Sequence, residues 1–169
     1  MNRRGFTIVE LLIVIALMGI LLTLSVVNLR GTQLSSRDTE RKTDIDSIAS
    51  HLDVFYKVGT DNSTVLGRYP STVELSGSAN IQSNLRDADL RAFTPPGATS
   101  ADTGFVAATN NTQTTAGVTP QPTTSTYVYQ PLQQNGALCN SSAQMCTKFN
   151  LFYKLETDNL VYMKTSKNQ

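Results

Sequence analysis

The chain changes character along its length. From Leu11 to Leu29 nineteen consecutive residues carry no charge and most are apolar. At ~1.5 Å per residue, a helix of that length nearly spans the ~30 Å hydrocarbon core of a bilayer. A dense mixed-charge block follows: Arg37, Asp38, Glu40, Arg41, Lys42, Asp44 and Asp46. Its spacing supports a helix. Asp38 and Lys42 pair at i,i+4, while Arg37/Glu40 and Arg41/Asp44 pair at i,i+3, so most of the block reads as a solvated helix face. Ile45, Ile48, Leu52 and Phe55 then form an amphipathic stripe on which a domain can pack. Gly59 is the expected C-cap. The pattern predicts one helix from Phe6 to Val58, with an all-round apolar half over 6–29 and an amphipathic half over 30–58. Gly19 and Gly31 inside it each cost about 1 kcal/mol against Ala but let helices approach closely. No Pro precedes Pro70, and Ser25–Gly31 is the stretch where this helix would loosen. His51 flanks the stripe as a boundary residue.

The remaining residues, 59–169, make a headpiece. Thr60-Asp61-Asn62-Ser63 is a loop. Asn84–Phe93 is expected as a short helix, with Asp87 and Arg91 at i,i+4 and Pro95-Pro96 enforcing its stop. Residues 94–126 contain eleven Thr in 33 positions, and Asp102 is their only charge. Such a segment cannot build a core alone; it reads as a long surface excursion pinned at Phe105 and Val106. Tyr127 and Tyr129 alternate with Val128 in a first strand, and Phe149, Leu151, Tyr153 and Leu155 share one face of a second. Thr157-Asp158-Asn159 is a turn signal before a third strand over Leu160–Lys164. The fold class is α+β, a long N-terminal helix packed on a small antiparallel sheet spanning 126–165.

One residue breaks the apolar pattern. Glu10 sits near the start of a segment otherwise greasy enough to enter a bilayer, where an acid costs roughly 2.5–3.5 kcal/mol. Cutting the chain before Phe6 would place a new α-amine about one helical turn away, a partner for that carboxylate. The stretch from Gly5-Phe6-Thr7 through Glu10 to Ile20 closely resembles the N-terminus of type IV pilins and type II secretion pseudopilins, and Gly67-Arg68-Tyr69-Pro70 resembles the Gly-x-Tyr-Pro segment that follows the long helix in many of them. The resemblance implies a leader over residues 1–5, cleavage between Gly5 and Phe6 by a prepilin peptidase, and N-methylation of Phe6. It also implies that Glu10 sets subunit register against the Phe6 amine, within one helix or between copies. Two other readings stand beside it. In a secretory signal peptide, Asn2-Arg3-Arg4 would be the charged region and Leu11–Leu22 the apolar one, but Glu10 fits such a region poorly. A plain single-pass anchor explains the length of the apolar run but not Glu10. In both the pilin and the anchor readings, Arg3 and Arg4 set the N-terminus on the cytoplasmic side.

Charge and cysteine content narrow the function. The net charge is +1, and without Arg3 and Arg4 twelve basic residues face thirteen acidic ones. Near-neutrality argues against nucleic-acid binding by bulk charge and suits a subunit that packs against copies of itself. Cys139 and Cys146, exported to an oxidising setting, pair by default in a disulfide worth about 2.5 kcal/mol on the chain-entropy account; two free thiols are the alternative. No metal is expected, since His51 is the only histidine. Some pseudopilins bind calcium, but Asp158-Asn159 offers too few ligands. No cofactor motif, phosphate loop, nucleophile motif or triad is present, so the chain does not read as an enzyme. Lys148, Lys154, Lys164 and Lys167 read as solvated lysines of strand edges.

These features read as a structural subunit of a type IV pilus. It would wait in the cytoplasmic membrane and polymerise into an extracellular filament with copies of itself through a membrane assembly platform, adhesion and twitching motility being its uses. A pseudopilin of a type II secretion system and a membrane-tethered binding module are the alternatives.

Overall fold

The computed structural model describes residues 5–59 and 66–167, the side chains of 26–30 excepted. Residues 1–4 of the expected leader and the expected loop Thr60-Asp61-Asn62-Ser63 lie outside the described residues. The chain forms two compact units, residues 1–36 and 37–169. A single helix, α1 (Ile8–Val58), supplies 29 residues to the first and 22 to the second. Its backbone stays helical through 25–31. Gly59 ends it at φ 71°, donating its N–H to the Phe55 carbonyl at 2.7 Å. That left-handed turn is open to glycine at little cost.

The second unit is an α+β domain. Its sheet has four strands in the order β1 (Phe105–Ala107), β2 (Tyr127–Gln133), β3 (Cys146–Lys154) and β4 (Val161–Thr165). The last three form the expected antiparallel meander, with Val128 opposite Phe152 and Tyr153 opposite Tyr162. The addition is β1, which comes from the Thr-rich stretch and pairs parallel to β2, Phe105 opposite Tyr127.

Strand alternation sorts the side chains onto two faces. Tyr127, Tyr129, Phe149 and Leu151 face the helical stripe of Ile45, Ile48, Ala49, Leu52 and Phe55 in the main core. Val128 and Phe152 point the other way, where Ala108 and Val118 cover them. The Thr-rich excursion therefore roofs the outer face of the sheet. Its backbone demand is met locally: the Asn110 side chain donates to the Gly117 carbonyl at 2.8 Å and accepts from the Thr119 N–H at 3.0 Å. Gln130, fully buried, donates to the carbonyls of Asn110 and Thr112 and accepts from Asn150.

The short helix differs from expectation. α2 occupies Ser78–Asn84, and 85–93 are turns, with Asp87 at φ 54°. Leu85 and Phe93 are buried in the core, so tertiary burial, not helical spacing, explains the apolar residues there. A four-residue helix, α3 (Ala101–Gly104), leads into β1.

Candidate assembly site

The described chain begins with Gly5, Phe6 and Thr7 in non-helical backbone. Gly5 and Phe6 are exposed, Phe6 by 79%. Thr7 stands one position before α1 and Glu10 three positions after Thr7. Their groups meet reciprocally: the Glu10 N–H donates to Thr7 Oγ1 at 3.3 Å, and the Thr7 N–H and hydroxyl donate to Glu10 Oε2 at 3.4 Å. This is a capping box with long bonds. The carboxylate is folded back onto the positive end of the helix dipole. The sequence reading gave Thr7 no role, although a Thr three residues before a Glu at the head of an apolar run is the sequence sign of such a box.

From Phe6 to Leu24 the large apolar side chains are all exposed, from 39% at Val14 to 81% at Ile8. Ile8–Ser25 is long and apolar enough to cross a membrane. Its hydroxyls are satisfied within the helix, Thr23 donating to the Ile20 carbonyl at 2.7 Å and Ser25 to that of Leu21 at 2.9 Å. Those bonds remove the need for water along the span.

The charged block departs from the solvated face expected of it. Arg41 is wholly buried and Asp38 nearly so. Arg41 Nη1 donates to Asp38 Oδ1 at 2.9 Å, and Nη2 to Glu156 Oε1. Asp38 accepts the backbone N–H groups of Glu156 and Thr157 at 2.8 and 2.9 Å. Arg37 adds a 2.6 Å bond to the other Glu156 oxygen. Burial alone would raise the Asp38 carboxyl, but those N–H groups and Arg41 outweigh it and hold it below the usual range. The Arg37 guanidinium, helped by Arg41, does the same for Glu156. Helical spacing showed only neighbours within α1; the decisive partner, Glu156, lies 115 positions further along the chain.

Asp44 belongs to the same helix but fares differently. Burial and the nearby Glu40 push its carboxyl up to about 6, although it accepts the Tyr127 hydroxyl at 2.8 Å. Lys164 and Lys167 pair with Asp46 and Asp53 at 2.9 and 3.0 Å. The same four residues line a 240 Å³ groove with Ala49, Ser50, Phe149 and Thr165. His51 is half-buried.

Cys139 and Cys146 are joined in a buried disulfide. Its two residues accept backbone bonds from the segment entering the domain, Cys146 from the Tyr69 N–H at 2.7 Å and Cys139 from the Thr72 N–H at 3.0 Å. The Gly67–Pro70 segment is thus tied to the disulfide loop. Arg68 bonds Glu74 through both terminal nitrogens, and the buried Tyr69 ring packs edge-on to Phe149. The carboxylate weighed for calcium is taken: Asp158 accepts the Leu160 N–H at 2.9 Å and the Tyr162 hydroxyl at 2.5 Å. Among the described residues no three His, Cys, Asp or Glu side chains converge on a metal position.

Comparison with known proteins points to the same N-terminus. The prokaryotic N-terminal methylation motif matches residues 1–26. The chain is 38% identical over 77 residues to the type II secretion system core protein G of Dickeya chrysanthemi, covering 46% of each chain. It is 41% identical over 71 residues to the protein of that name in Pectobacterium carotovorum subsp. carotovorum, covering 42% of this chain and 41% of that one. The counterpart from Klebsiella michiganensis is 42% identical over 71 residues, covering 42% and 45%. The match thus spans less than half the length of these relatives. No solved structure matches the chain significantly.

Proposed function

We propose that this chain, which belongs to the pilin and pseudopilin family by its N-terminal motif, is a pseudopilin, a structural subunit of the filament of a type II secretion system. The observation that carries the reading is Gly5-Phe6-Thr7-Ile8-Val9-Glu10 leading into a helix whose apolar side chains are exposed all round. The relatives, each a type II secretion system core protein G, favour the secretion filament over the type IV pilus, which therefore yields to its alternative.

Before assembly the subunit is anchored in the cytoplasmic membrane by Ile8–Ser25, its headpiece outside. A prepilin peptidase cuts between Gly5 and Phe6, and the new amine is methylated. The helix then leaves lipid for a bundle of copies at a membrane assembly platform. Lipid tails and neighbouring helices are similarly apolar, so the transfer costs little once packing forms. Register comes from Glu10, whose carboxylate meets only the long bonds of the Thr7 box among the described residues. A methylated amine from a neighbouring copy neutralises it at one axial position.

Mass spectrometry of the mature protein from the native membrane tests the processing. A chain starting at N-methylated Phe6 is expected; a chain starting near Val26 would select ordinary secretion. A deletion strain separates the two filaments. Exported enzymes should be retained in the periplasm with surface motility intact, whereas lost motility with normal export would return the chain to the pilus class.

A further inference from the structure

The turn between β3 and β4 is crowded with acids. Glu156 and Asp158 lie on it, and Asp38 reaches it from α1. Such crowding is often relieved by a divalent cation held by hard oxygen ligands. Here the oxygens are already engaged. Both Asp158 oxygens accept from the turn itself, both Asp38 oxygens accept its backbone N–H groups, and Glu156 is shared between Arg37 and Arg41.

A cation nevertheless stands among them, and the chain supplies it. The Arg41 side chain is fully buried. Besides Asp38 and Glu156, it bonds the Thr124 carbonyl through Nε at 2.9 Å and Nη2 at 2.6 Å, and the Pro96 carbonyl at 3.2 Å. Its acceptors thus come from α1, the β3–β4 turn and both ends of the Thr-rich segment. We propose that the Arg41 guanidinium is the resident cation of the β3–β4 turn, supplying the positive charge its crowded carboxylates need so that the turn is held without a metal. A guanidinium suits the task because it stays charged and presents five donors in a planar fork. It also fixes Asp38 in the position from which that carboxylate caps the turn. The inference stands on headpiece geometry alone, so it is independent of which filament the subunit builds.

Thermal melting of the full chain in detergent micelles tests it. The parent should melt within about 1 °C in millimolar calcium and in chelator, since a ligand that does not bind the native state cannot stabilise it. Arg41→Ala should lower the melting temperature by about 10 °C, and millimolar guanidinium should restore part of that loss in the variant while leaving the parent unchanged. Arg41→Lys, which keeps the charge without the fork, should fall between the two. A parent stabilised by several degrees in calcium would overturn the proposal, as would an Arg41→Ala chain that melts with the parent. The calcium comparison needs no variant and decides the matter even if Arg41→Ala does not fold.

Discussion

Two carboxylates on one helix illustrate how neighbours set the role of an acid. The Glu10 carboxylate accepts the Thr7 hydroxyl and the Thr7 backbone N–H, both at 3.4 Å, and meets no side-chain cation among the described residues. Its removal should leave the Gly5-Phe6 junction intact, since that junction is exposed and lies outside the helix. Glu10→Ala is therefore expected to be processed normally, while filament yield falls to about a tenth or less because a desolvated amine is left unpaired. Immunoblots of processed and sheared fractions read the two steps separately, and a normal filament yield would refute the register role. Asp44 is the opposite case. Its carboxyl is raised to about 6 by burial and by Glu40, so the charged form is disfavoured in the folded state. An acid whose folded pKa lies above its unfolded value weakens the fold as pH rises from about 4 through 6, and the penalty persists above that range. Asp44→Asn keeps an acceptor for the Tyr127 hydroxyl and removes the charge. It should raise the melting temperature by about 2–5 °C at pH 8, partial exposure trimming the effect, and change nothing at pH 4.

At the scale of elements, the approach of α3 to the turn before it rests on a missing side chain. A Cβ at Gly104 would lie 2.5 Å from Pro95 Cδ and 3.1 Å from the Phe93 carbonyl. Gly104→Ala should therefore destabilise the domain by about 1–3 kcal/mol, measured by denaturant unfolding, with little change in the slope. Cys146→Ser should cost about 2.5 kcal/mol in the same assay. These elements also show what a single sequence reveals. The helix α1 was legible because its apolar run, its i,i+3 and i,i+4 charge spacing and Gly59 all agree, and the meander because Tyr127, Tyr129, Phe149 and Leu151 alternate. The strand β1 was not, since three residues inside a Thr-rich stretch take their conformation from pairing with β2, a contact 22 positions away. The roof over the outer face of the sheet was hidden for the same reason: Ala108 and Val118 look like filler until Val128 and Phe152 need cover. Of the assembly site, Gly5, Phe6 and Glu10 stood out by motif. Thr7 was overlooked as a cap and Arg41 was misplaced on the surface, because a helix-face argument sees neighbours at three and four positions and not an acid from the far end of the chain.

The whole headpiece carries these charges as one balance, and its response to acid follows from them. Asp38, Glu74 and Glu156 all sit below the usual carboxylate range. For Glu74, burial alone would raise the carboxyl, but the Arg68 guanidinium and the Ser71 N–H and hydroxyl more than offset it. Groups depressed in the folded state stabilise it above their unfolded pKa, and that contribution drains away as pH falls through their folded values. Their combined effect is to make the headpiece lose stability below about pH 4, the opposite sign from Asp44. The two limbs should meet in a stability maximum at about pH 4–5. Replacing Arg41 should flatten part of the acid limb, because Asp38 and Glu156 would move toward ordinary titration, whereas Asp44→Asn should flatten only the decline between about pH 4 and 6. Denaturant unfolding of the parent and the two variants from pH 3 to 8 separates these limbs. If Arg41→Lys or Arg41→Ala retained the full acid limb of the parent, the cluster around Glu156 would not be what ties the sheet turn to the helix.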